Sequence, residues 1–107
     1  MTKHILRWMS HWENNGLDFG RFALTHKEFY TKATLRQAFT LLDVETGREI
    51  GRAVHSTPLN DDIKPAGYIQ LDGRSCTEYN TKEEVFLGLV IKAFGAHCKE
   101  LTKAGTK

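Results

Sequence analysis

The sequence predicts an α+β domain: an antiparallel sheet of about four to five strands, with an amino-terminal and a carboxy-terminal helix packed together on one face. Three observations carry that prediction. Asp72-Gly73 sits between short alternating runs, the signature of a hairpin whose two central residues take positive φ. A long apolar helix follows over residues 81–101. Upstream, the pattern over residues 18–57 changes from the helical period to the alternation of half-buried strands.

The amino-terminal helix, residues 1–16, is read from Ile5, Trp8, Met9 and Trp12, which fall on one stripe, and from Asn14-Asn15-Gly16, which ends it. Two Trp on so short a helix make it a core-facing element. A partner-binding helix with an aromatic stripe is the sharper alternative. Residues 18–80 form antiparallel hairpins, with strands at 19–29, 34–44 and 49–55 and with Leu35, Gln37, Phe39 and Leu41 sharing one face. Gly47, in the connection 44–48, takes the left-handed position of a turn that closes a hairpin. Residues 25–42 also approximate a helical face through Phe29, Ala33, Leu35, Phe39 and Leu42. The β-branched and aromatic content favours strands.

Residues 56–66 are an irregular loop. Pro58 and Pro65 bracket Leu59, Asn60, Asp61, Asp62, Ile63 and Lys64, and each proline denies a ladder donor. The loop is longer than a strand connection needs, and long ordered loops often carry function. Leu59, Asn60, Asp61, Asp62 and Ile63 are therefore candidate partner-binding residues.

Thr81 opens the final helix as the cap of a Thr-x-x-Glu box closed by Glu84, with Glu83 and Glu84 complementing the positive end of the dipole. Phe86, Leu87, Val90, Ile91, Phe94, Cys98 and Leu101 fill a wide apolar arc. On the remaining side fall Gly88, Lys92, Gly95 and Lys99. Each glycine costs about 1 kcal/mol against Ala in a helix interior, so the pair points to close approach of another backbone, with a symmetric homodimer the simplest arrangement. Residues 102–107 are expected to fray.

At 107 residues, 40% apolar and 26% charged, the chain is the size and composition of one globular domain. A net charge of +2 is far from a block that by itself implies nucleic acid. No run is long enough to cross a bilayer and no apolar signal region opens the chain, so a cytoplasmic location is expected, with no membrane partner. Cys76 and Cys98 then read as reduced thiols in or near the core. The five histidines show no His-x3-His pair, the glycines form no phosphate loop, and Asp61-Asp62 is an ordinary solvated acidic pair. The sequence therefore assigns no catalytic residue, no metal and no cofactor.

An enzyme is left unsupported, and two functions are weighed. The preferred one is a small non-enzymatic binding protein, an inhibitor or adaptor acting through protein–protein contacts. The alternative is a nucleic-acid-binding regulator using residues 21–36, where Arg21, Lys27, Lys32 and Arg36 face a single Glu28 and are interleaved with Phe22, Phe29 and Tyr30.

Overall fold

The computed structural model describes residues 21–60 and 62–105. The chain runs β1 (Phe22–Tyr30), β2 (Thr34–Asp43), β3 (Arg48–Pro58), β4 (Ala66–Leu71), β5 (Thr77–Tyr79) and α1 (Glu83–Gly105). The strands form one antiparallel meander in the order β1-β2-β3-β4-β5. The α+β prediction and the five-stranded sheet stand, and residues 25–42 are two strands and the turn between them rather than a helix. The predicted amino-terminal helix over residues 1–16, with Trp8 and Trp12, lies outside the described residues.

The register divides the sheet into two faces. Leu24, Leu41, Gly51 and Leu71 stand in one cross-strand row, and His26, Phe39, Ala53, Ile69 and Thr77 in the next, all on one side. Leu35, Gln37, Phe39 and Leu41 share this side as predicted. The opposite side carries Thr25, Lys27 and Phe29 on β1, Arg36 and Ala38 on β2, Arg52 and Val54 on β3, and Tyr68 on β4. Nothing on that opposite side among these residues is fully buried.

Helix α1 packs against β3 and β4. Phe86, Val90, Phe94 and Cys98, spaced by four, are all fully buried and form the stripe that meets the sheet. Small residues in the middle strands let it come close. A methyl at Gly51 would stand 3.1 Å from the Phe94 ring, and one at Gly67 would stand 2.6 Å from the Phe86 ring. The core joins Phe22, Phe39, Leu41, Ile50, Ala53 and Ile69 to these helix residues. Ile50 is the extra residue of a bulge, since Leu41 pairs with Gly51 and Leu42 with Glu49. That bulge turns Ile50 inward and leaves it 1% exposed.

Both predicted glycine turns are present, with Gly47 at φ 73° and Gly73 at φ 77°. Asp72 joins Gly73 in the left-handed region at φ 47°, and Arg74 N–H donates to the Leu71 carbonyl at 2.9 Å. The hairpin is nevertheless not tight throughout. Ile69 pairs with Thr77, so residues 74–76 leave the ladder and Cys76 is exposed in a loop rather than on a strand near the core. Cys98 is buried in the core as expected.

The helix start differs from the predicted capping box. The Phe86 amide donates to the Lys82 carbonyl at 3.0 Å, so Lys82 rather than Thr81 is the capping residue. Thr81 is diverted by the sheet: its carbonyl accepts from His55 Nε2 at 2.9 Å, and its hydroxyl is buried without a partner. Glu83 and Glu84 still occupy the first turn. At the other end, residues predicted to fray continue the helix to Gly105, with Thr102 donating to the Cys98 carbonyl at 2.8 Å. No described helix is long and apolar enough to cross a membrane.

Candidate functional site

The end of the sheet that holds the β1–β2 turn, the β3–β4 loop and the start of α1 gathers exposed apolar side chains. Phe29, Tyr30, Leu59, Ile63 and Val85 lie there, between 49% and 69% exposed. Of the large apolar side chains exposed among the described residues, only Val44 sits at the opposite end. Scattered single apolar residues are normal on a surface, whereas concentration at one end marks an interaction site.

Local chemistry holds this end in shape. Thr31 N–H donates to the Thr34 carbonyl at 2.8 Å, and the Thr31 hydroxyl accepts from the Thr34 amide at 3.0 Å, which closes the β1–β2 turn. Leu59 N–H then donates to the Ala33 carbonyl at 2.9 Å, pinning the loop to that turn. Within the loop, Asp62 N–H donates to Asn60 Oδ1 at 2.7 Å. A cleft of about 560 Å³ opens between Pro58 at the end of β3, Ile63 and Pro65 on the loop, and Lys82, Glu83 and Glu84 at the helix start. His55, buried, ties Thr57 on the cleft lining to Thr81 just before the helix. Its Nε2 donates to the Thr81 carbonyl at 2.9 Å, and its Nδ1 shares a hydrogen bond with the Thr57 hydroxyl at 3.2 Å.

Of the predicted loop residues, Leu59, Asn60, Asp62 and Ile63 stand at this end, and Asp61 lies outside the described residues. The glycine side of α1 is not one open surface. Gly88, Lys92 and Lys99 are exposed and a methyl at Gly88 would touch nothing within 4 Å, but Gly95 is buried.

The predicted nucleic-acid residues are dispersed by the fold. Arg21 is at the far end, donating to Asp43 Oδ2 at 3.0 Å with Glu45 at 3.7 Å. That hydrogen bond and ion pair raise the Arg21 pKa further and hold the Asp43 carboxyl below its ordinary range, against the opposing effect of burial. Lys27 and Arg36 lie on the helix-free face, where the Arg36 guanidinium stands 5.9 Å from the centre of the Phe29 ring. Lys32 is in the turn and Tyr30 is on the helix side. The tertiary structure adds Arg52 to the open face, already paired to Glu49 at 2.9 Å.

Nucleophilic chemistry finds no support at the cysteine on α1. Burial pushes the Cys98 thiol up to about 12, which keeps it protonated. Its neighbour His97 is almost fully buried, with Asp72 at 3.9 Å from one ring nitrogen and Glu100 at 3.8 Å from the other. Those carboxylates lie against different nitrogens, and no group of three metal-ligating side chains occurs among the described residues.

No protein family, curated protein or solved structure matches this chain.

Val85 is the member of this surface that the sequence passed over, and Phe29 and Tyr30 entered only as aromatics of the nucleic-acid alternative. A signal that the two do not both belong to the core was present. Consecutive residues of a strand point to opposite faces, so Phe29 and Tyr30 cannot both serve one core.

Proposed function

We propose that this chain is a non-enzymatic binding protein, an inhibitor or adaptor, that docks a protein partner on the end of the sheet formed by Phe29, Tyr30, Leu59, Ile63 and Val85. The observation that carries the reading is the concentration of exposed large apolar side chains at that one end, beside an open cleft. Covering them removes apolar surface from water at roughly 25 cal/mol per Å², and the pinned loop loses little conformational freedom when it docks. Lys82, Glu83, Glu84 and Asn60 give the cleft a polar margin, as protein interfaces place polar groups around an apolar centre.

The test is affinity capture from the native host with the wild type and with a Tyr30→Ser, Leu59→Ser, Ile63→Ser variant whose circular dichroism matches it. A protein recovered in stoichiometric amount by the wild type alone, and binding the purified wild type in calorimetry, is the expected result. Recovery of nucleic acid instead, or equal recovery by both proteins, overturns the reading.

A further inference from the structure

We infer that β1 is a strand-addition site, whose outer edge over residues 27–30 takes up an extended segment of a partner protein carrying an acidic residue opposite Lys27. This rests on the protein-docking reading above and specifies its chemistry.

The sheet order leaves β1 at an edge, paired only with β2 among the described strands. Hydrogen bonds at both ends of the β1–β2 ladder fix which backbone groups face which way. Val44 N–H donates to the Arg21 carbonyl at 2.7 Å, and Thr31 N–H to the Thr34 carbonyl at 2.8 Å. Between those two pairs the register is unbroken. In an antiparallel ladder the residues alternate between bonding their neighbour and facing away. Arg21, Ala23, Thr25, Lys27, Phe29 and Thr31 therefore turn N–H and C=O toward β2, while Glu28 and Tyr30 turn theirs outward. Those outward groups have no backbone partner among the described residues.

Edges of this kind are normally blunted by proline, a bulge, a covering segment or a charged side chain, lysine above all. The charges here are Lys27 and Glu28, so an added segment must answer Lys27 with an acid. Residues 27–30 hold no proline, their pairing with β2 has no bulge, and all four are exposed. Phe29 and Tyr30 flank the edge on opposite faces, so an added strand would meet an aromatic ring on each side. Backbone hydrogen bonds would give affinity and alternate side chains specificity, which is the strand-addition mode of peptide recognition.

Charge decides the occupant. On the helix-free face the edge presents Lys27 with Arg36 in the neighbouring row, and no carboxylate shares that face of β1 or β2 up to that end. An antiparallel second copy keeps like faces together, so Lys27 would meet only Ala23, Thr25, Lys27, Phe29 or Thr31 of the copy. No antiparallel register of β1 on β1 of a second copy places an acid there, and β5, the edge strand that carries Glu78 on this face, is only three residues long. A segment of another protein with Asp or Glu at that position does.

The probe is a phage-displayed library of random linear peptides, selected on the full chain, with the enriched peptides then synthesised. Wild type should enrich peptides of alternating apolar character with an acid at one position, and binding should slow hydrogen exchange at the Glu28 and Tyr30 amides. Glu28→Pro removes an outward donor without touching the β1–β2 ladder, so its thermal midpoint should match wild type while peptide affinity falls about tenfold. Lys27→Glu is the second variant and should shift the enriched charge from acidic to basic. Peptides that bind Glu28→Pro as tightly as wild type and ignore Lys27→Glu overturn strand addition, as does the absence of any enrichment. If binding is instead lost only in Leu59→Ser, Ile63→Ser, protein docking stands and strand addition falls. A wild-type dimer in light scattering that Glu28→Pro dissociates would make a second copy the occupant and refute the acidic partner.

Discussion

Substituting Ala at two glycines should move stability in opposite directions, and the structure sets the size of each effect. At Gly67 a methyl would meet the Phe86 ring at 2.6 Å and the Val54 carbonyl oxygen at 2.8 Å. The ring is fully buried and the oxygen belongs to the backbone, so neither yields cheaply. Overpacking of this sort costs about 1–3 kcal/mol, and the backbone contact puts it near the upper end. Ala also restricts the unfolded chain, which returns about 0.5–1 kcal/mol. The net is a loss of about 2 kcal/mol, a sizeable part of the ~5–15 kcal/mol that holds a small domain folded. With a urea slope of about 1.5 kcal/mol/M, the denaturation midpoint should fall by about 1–1.5 M. At Gly88 nothing stands within 4 Å, so the same substitution meets no obstacle. There it should gain about 0.5–1 kcal/mol of helix propensity and raise the midpoint. Combining Gly67→Ala with Phe86→Leu should shrink the Gly67→Ala cost to about 1 kcal/mol, because the ring contact is gone and the Val54 contact remains. An unchanged or raised midpoint for Gly67→Ala would refute the seating of Phe86 on that glycine.

Three further outcomes follow from the same geometry. Because the Arg21 hydrogen bond lowers the folded Asp43 pKa below its unfolded value of about 3.9, its contribution is present above that pH and lost as pH falls through the lowered value. Asp43→Asn should therefore lower the urea midpoint at pH 7 and converge with wild type in strong acid; a gap independent of pH would contradict the pairing. Thr81→Val should keep or raise thermal stability, by up to about 1 kcal/mol, since the buried hydroxyl it removes has no partner; a loss of that size would restore Thr81 as the cap. In native protein a thiol reagent should modify the exposed Cys76 promptly and Cys98 only on unfolding, and two fast thiols in a stopped titration would mean that the core is open.

The local elements were legible because each is written in a short window. Alternation marked β2 and its inward face, Gly47 and Asp72-Gly73 marked the turns, and Phe86, Val90, Phe94 and Cys98 at intervals of four marked the buried stripe of the helix. The candidate site was half legible. Two prolines around Leu59 and Ile63 flagged the loop, but nothing in the loop says that it is pinned to Ala33 or that it closes on the helix start.

What the chain determined by itself is therefore the alternation, the turns and the apolar arc, since φ preference and side-chain period act between near neighbours. The tertiary structure alone decided the helix cap, the fate of the basic stretch and the place of the exposed aromatics. Thr81 and Glu84 have the spacing of a capping box, yet His55, distant in sequence, claims the Thr81 carbonyl and leaves Lys82 to cap. Arg21, Lys27 and Arg36 look like one patch in sequence, yet Asp43 neutralises the first at one end of the sheet and the pleat sends the other two to the far face. Gly67 carries no local signal at all. Its importance arises only because an aromatic ring from a helix nineteen positions further along comes to rest on it, and no local rule can specify a contact whose two halves meet only when the sheet and helix are assembled.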